Sequence, residues 1–271
     1  MTKPLLPSFA KPPVVEVVIG VQFTALPNYS NALAGWYWKT FLEPSWSVAN
    51  EVPRLDDAFE VFDDAGRWSA KPQLIVSQAP RPERLHIANP ETGRLIQVQD
   101  TRFLLNWRIG ANDQTYPTYR VLVNEFCAHL DNFRRFVKES GNAPLELNQW
   151  EVTYLNHIPK GDLWQSVSDW PQLLPFLKTP GEGARDQFLE SFRGEWALTL
   201  PNKEGRLHIA LQHARTSTAP MQEIIFLQLM ARGPMITQVI HEDLEKGHCA
   251  VVKSFAEITS KEAHKNWGRI R

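Results

Sequence analysis

The chain has 271 residues, 43% hydrophobic and 22% charged, the proportions of an ordinary globular protein able to bury a core as one large domain or two small ones. Its 29 basic and 30 acidic residues give a net charge of −1, without the basic excess that accompanies phosphate-backbone binding. Two cysteines, Cys127 and Cys249, are too few for a disulfide framework or a structural zinc site. The greasiest run, Ile224 to Met230, is broken by Gln228 and falls far short of a membrane span, and the first residues lack the apolar core of a secretory signal, so a cytoplasmic protein with no membrane contact is expected.

Pro4, Pro7, Pro12 and Pro13 make residues 1–13 an extended arm. Val14 to Phe23 is β-branched and reads as a strand. Leu33, Trp36, Tyr37, Phe41 and Leu42 then recur at helical spacing until Pro44. Residues 44–72, with Asp56, Asp57, Asp63 and Asp64, read as an acidic surface excursion.

Strands are expected at Leu74–Gln78 and Arg84–Ala88, followed by the clearest hairpin of the chain, Gly93–Gln99 with Arg102–Arg108. A two-residue turn at Asp100-Thr101 sets Gln99 opposite Arg102, Val98 opposite Phe103, Gln97 opposite Leu104 and Ile96 opposite Leu105. One face then carries Ile96, Val98, Phe103, Leu105 and Trp107; the other carries Gln97, Gln99, Arg102, Asn106 and Arg108, with Leu104 among them. A long helix follows, with Pro117 in its first turn, an apolar stripe at Leu122, Phe126, Leu130, Phe133 and Val137, and an end near Gly141.

Gly141 to Pro144 is the best candidate boundary, and the order then repeats. Trp150–Ile158 reads as a strand, Asp162 as the cap of a helical stretch to Leu177 interrupted by Pro171, and 178–186 as a loop. Strands at Phe188–Leu200, Arg206–Gln212 and Gln222–Ala231 precede a helix from Pro234 to Ile258, striped by Ile236, Ile240, Leu244, Val251, Phe255 and Ile258. The expected fold is α+β: two tandem β-α-β(3 or more)-α units, 14–141 and 148–271, with antiparallel sheets carrying helices on one face. Joined edge to edge, they give a saddle-like pseudo-dimer. Arg84-Leu-His-Ile-Ala88 recurs as Arg206-Leu-His-Ile-Ala210, while a competing match pairs Gly93-Arg-Leu95 with Gly205-Arg-Leu207, which leaves the register of the repeat open.

Several segments resemble an uncharacterised, sporadically distributed bacterial protein family: Pro12 to Phe23, Arg94 to Arg108, Tyr116-Pro-Thr-Tyr119, Thr153-Tyr-Leu-Asn156 and His264-Lys-Asn-Trp-Gly268. The resemblance spans nearly the whole chain and implies no functional residues. Sporadic distribution points to mobile, defence-related neighbourhoods.

Candidate chemistry is sparse. The 14 glycines form no phosphate-binding loop. His208 and His213, five apart on a strand, point to opposite faces, and His241 and His248, two helical turns apart, are too distant to share a metal. Adjacent on a helix, His248 and Cys249 diverge by about 100° and cannot pair as base and nucleophile; Cys127 reads as core filler. Asp56-Asp57 and Asp63-Asp64 read as solvated loop rather than a glycosidase pair. No cofactor or metal is implied.

The 10 tryptophans and 14 phenylalanines beside 5 tyrosines fill a wide sheet-helix core, the alternative being that a few line a recognition surface. Gln97, Gln99, Arg102, Asn106 and Arg108, with His208, Gln212, Gln228 and Arg232 on a related face of the second unit, suit bidentate recognition of carboxylates, phosphates or peptide groups, against an ordinary solvent-facing sheet side. The first expectation is a non-catalytic binding or regulatory subunit engaging a protein partner. The alternatives are nucleic-acid binding by the sheet face and an enzyme assembled around His86 or His157.

Overall fold

Nine strands form one open antiparallel sheet in the computed structural model, which describes residues 5–62, 82–110, 115–177, 189–217, 220–237 and 239–271. In chain order they are β1 Val14–Phe23, β2 Val48–Val52, β3 Arg84–Asn89, β4 Arg94–Gln99, β5 Arg102–Arg108, β6 Leu147–Pro159, β7 Arg193–Thr199, β8 Arg206–Arg215 and β9 Glu223–Pro234. The helices are α1 Asn31–Phe41, α2 Tyr119–Glu139, α3 Trp170–Leu173, α4 Ile240–Ile258 and α5 Lys261–Asn266. Across the sheet the order is β2-β3-β4-β5-β1-β6-β9-β8-β7, so the antiparallel β1–β6 pair is the seam between the two halves of the chain.

The β4–β5 hairpin has the register read from the sequence, with Gln99 opposite Arg102 and Ile96 opposite Leu105. Its apolar side, Ile96, Val98, Phe103, Leu105 and Trp107, is buried against the helices. α2 buries Leu122, Phe126, Leu130, Phe133 and Val137 as its spacing predicts. Its end is fixed by Gly141 at φ 75°, which lets the amides of Gly141 and Asn142 turn back to the carbonyls of Lys138 and Val137. The nine described tryptophans all lie in or against this core, with Trp36, Trp38 and Trp196 partly buried at its margin.

Two glycines make close approaches possible. At Gly20 a Cβ would lie 2.1 Å from Leu104 Cδ2, so the bare backbone of β1 admits this leucine on the polar side of the sheet. Gly247 of α4 likewise leaves room for the Trp150 ring, which a Cβ would meet at 2.6 Å.

Several boundaries differ from expectation. The helical stretch after β6 shrinks to a single 3-10 turn, Val167–Asp169, and α3. Asp169, not Asp162, closes the cap by accepting from the amides of Gln165 and Ser166, and Pro171 stands at the start of α3, where it lacks no bond, rather than interrupting it. α4 begins at Ile240, because Pro234 still belongs to β9; Ile236 precedes the helix and is exposed. Pro117 sits before the Thr118 cap of α2, outside its first turn. Residues 48–52 form an edge strand, β2, that alternation in so short and polar a stretch does not reveal. The strand expected at 74–78, the loop at 178–186 and the pair Asp63-Asp64 lie outside the described residues.

The arm is tied down rather than loose. Ala10 and Lys11 donate to the carbonyls of Gly268 and Trp267, Ile270 donates to Ser8, and the Phe9 ring packs on Phe255 and Trp267. No helix among the described residues is long and apolar enough to cross a membrane.

Candidate functional site

Alternation places one set of side chains of every strand on the face away from the helices. In β1 these are Glu16, Val18, Gly20 and Gln22; their neighbours across the seam are Gln149, Glu151 and Thr153 of β6. In β5 they are Arg102, Leu104, Asn106 and Arg108, in β9 Gln228 and Arg232, and in β8 Arg206, His208 and Gln212. All nine sequence-predicted residues therefore share this face of one sheet.

The face is not the open platform expected of it. Gln97 is 5% exposed, Gln99 0%, Arg102 5% and Asn106 2%; of the hairpin set only Arg108, whose side chain is 50% exposed, reaches solvent. The cover is the chain's own acidic segment after β2, which crosses the sheet instead of looping outward. A row of amides binds its backbone. Gln99 accepts from the Leu55 amide and donates to the Leu55 carbonyl, both at 3.0 Å. Gln22 accepts from Ala58 at 2.9 Å and Gln149 from Glu60 at 3.2 Å, while Arg102 donates to the Asp56 carbonyl at 2.7 Å.

The physical reason is satisfaction of buried polar groups. An irregular segment laid on a sheet cannot pair with strands already paired on both edges, so its amides need side-chain partners. A carboxamide offers a donor and an acceptor at once, which is why glutamines line the track. Asp57 accepts from Thr101 Oγ1 at 2.6 Å and Arg54 pairs with Asp100 at 2.9 Å, so the acidic pair expected in a solvated loop is built into the contact at Asp57.

Glu60 ends the track. Its carboxylate, 2% exposed, lies 2.9 Å from Arg232 Nη2 and 2.7 Å from His208 Nε2, and Arg206 bonds its other oxygen. Burial raises the carboxyl pKa, but the His208 hydrogen bond and the Arg232 charge outweigh it and bring it down to about 2. Arg206 also donates to the Val61 carbonyl at 3.1 Å and lies 4.8 Å from the Phe62 ring centre. His208 and Arg232 are thus brought together by a glutamate that sequence pattern does not single out. Gln212 and Gln228 lie further along the same strands, exposed and half-buried respectively.

A second network runs along the hairpin. Arg84 donates to Gln97 at 2.6 Å, Gln97 donates to Asn106 at 2.7 Å, Asn106 bonds Glu16, and Glu16 accepts from Arg108 at 2.7 Å. His86 Nε2 lies 3.1 Å from the same Gln97 oxygen. Burial, reinforced by the Arg84 charge, brings the His86 pKa down to about 4. His157 is also lowered by burial. Arg102, bonded to Glu151 at 3.0 Å and to Gln22 at 3.0 Å, belongs to the track and reaches across β1 from β5 to β6.

Glu16 and Gln22 escape a sequence reading as two polar residues spaced apart in an otherwise apolar β1, and Gln149 and Glu151 because they stand among other polar residues of β6. Their shared signal is parity: each occupies the alternate, non-core positions of β1 or β6. Compared with known proteins, the chain matches no protein family, no curated protein and no solved structure.

Proposed function

We propose that this chain is a non-catalytic binding or regulatory protein whose polar sheet face takes an extended acidic peptide from a protein partner, with residues 54–61 standing in that place. The observation that carries the reading is the division of labour along the track. Gln99, Gln22, Gln149 and Arg102 hold backbone atoms, whatever the side chains attached, while the Arg206–His208–Arg232 cage takes one carboxylate. Backbone reading supplies affinity and the cage supplies register, the logic by which extended peptides are recognised elsewhere.

In this reading the halves descend from a duplicated unit that forms a saddle-like pair. The sheet order supports it: outward from the β1–β6 seam come β5 and β9, then β4 and β8, then β3 and β7. That pairing fits neither short match. The Arg84 and Arg206 pentapeptides lie in β3 and β8, at different ranks. The glycine-arginine-leucine match sets Leu95, on the polar face, against Leu207, on the core face. The segments that resemble the bacterial family form β1, the β4–β5 hairpin, the start of α2, part of β6 and the end of α5.

The test is binding in trans. A labelled peptide with the sequence of residues 53–62 is titrated by fluorescence polarisation into the whole chain carrying Glu60→Ala, whose own segment has lost the cage contact. The labelled peptide binds, a peptide with glutamine in place of the glutamate binds at least about tenfold more weakly, and mixed single- and double-stranded oligonucleotides at low salt do not displace it. No binding to a folded variant refutes the peptide reading; displacement by oligonucleotide moves the assignment to nucleic acid.

A further inference from the structure

On the helix-covered face, a cavity of about 1350 Å³ opens between α2 and α4, walled also by the arm and by β6 and β9. It is at least as large as the usual small-molecule site. Its walls are mainly apolar, with Leu6, Val123, Leu229, Val251, Val252 and Phe255 among them. A polar cluster also lines it. Tyr116 and Tyr154 share a hydroxyl–hydroxyl bond of 2.8 Å, Tyr154 lies 3.1 Å from His248 Nδ1, and the Tyr119 ring stacks on His248 at 3.7 Å.

Charge points to a bound anion. Lys11, Arg120 and Arg271 line the cavity, and Glu245 is the one acid among its described lining residues. The N-terminus of α2 opens there too, 21 residues of aligned peptide dipoles with no side-chain cap on Thr118 and no acid in the first turn.

We propose that this cavity binds a small amphipathic carboxylate, its apolar body against Val123, Val251 and Phe255 and its head at the α2 N-terminus, bonded by Arg120. The site lies on the opposite side of the sheet from the peptide track, and its test is independent of that reading.

The probe is 8-anilinonaphthalene-1-sulfonate, followed by fluorescence, with octanoate and octanol as competitors. One probe binds per chain, and octanoate displaces it about tenfold better than octanol does, the size expected of one charge-assisted contact. Arg120→Glu removes that preference while leaving octanol unchanged. Val252→Trp, which fills the cavity, abolishes probe binding. Equal displacement by octanoate and octanol overturns the proposal, as does probe binding indifferent to both Arg120→Glu and Val252→Trp in variants with native near-UV circular dichroism.

Discussion

Replacing Glu60 by glutamine removes one charge and leaves the shape of the side chain. In the native protein its carboxyl titrates near 2 against 4.5 in the absence of structure. At 1.36 kcal/mol per pKa unit, the ionised form therefore contributes about 3 kcal/mol near neutral pH. A nearly buried group justifies taking most of this figure, while Arg206 and Arg232, partly exposed at 21% and 14%, recover some hydration when the carboxylate is lost. For a chain of this size, about 3 kcal/mol lowers the melting temperature by roughly 6–12 °C. The sign with pH follows from a depressed carboxylate pKa: the contribution is full above the unfolded value and is lost as pH falls through the folded one. The stability gap between wild type and Glu60→Gln is then about 3 kcal/mol at pH 6 and about half that at pH 3, measured by urea denaturation at both. Other carboxylates titrate equally in both proteins, so the difference isolates this one. A gap that stays constant between these pH values refutes the cage as the origin of the effect.

His86 titrates near 4 in the intact protein, followed by its ring proton signals in NMR, and Arg84→Ala moves the midpoint up towards 6.5, since the Arg84 charge is the second cause after burial. Its depressed pKa contributes stability above pH 6.5 that is lost as pH falls through 4. Gly20→Ala destabilises by about 1–3 kcal/mol through overlap with Leu104, and the Gly20→Ala/Leu104→Ala pair costs less than the sum of the single changes in a denaturation cycle. Thr118, a β-branched residue at φ 75° and ψ 149°, occupies a region natural to glycine, so Thr118→Gly raises stability by about 1 kcal/mol; a loss would refute strain at this position.

The hairpin was legible because two strands imposed the same alternation on each other, and a slip by one residue would have turned Phe103 and Leu105 outward. The α2 stripe was legible because five apolar residues kept helical spacing over four turns. Parity fixes which residues share a face but says nothing about what covers that face. Gln97 and Gln99 look the same in sequence whether water or a peptide backbone satisfies them. The cover comes from residues 54–61, whose acidic, irregular composition is that of a solvated loop. Only the three-dimensional path brings Glu60 to Arg206, His208 and Arg232, which lie 146 to 172 residues away in the chain. The cavity was hidden for the same reason, since its walls combine the arm, α2, β6 and α4.

A segment bound in cis competes with any partner for the same track, and its advantage is one of concentration. A short tether holds a segment at an effective concentration of order millimolar, so a peptide making equal contacts from solution displaces it only near that concentration. To act at micromolar levels a partner needs about 4 kcal/mol of further contact, for instance a second carboxylate at Arg108 or contacts with Gln212 and Gln228 beyond the reach of residues 54–61. Glu60→Ala removes about 3 kcal/mol from the cis segment. On that account it tightens the apparent affinity of the peptide in trans by about 100-fold. A stable fold and an occupied track are therefore compatible with binding: the contacts that satisfy the sheet's buried polar groups in the resting chain are the ones a partner must reproduce.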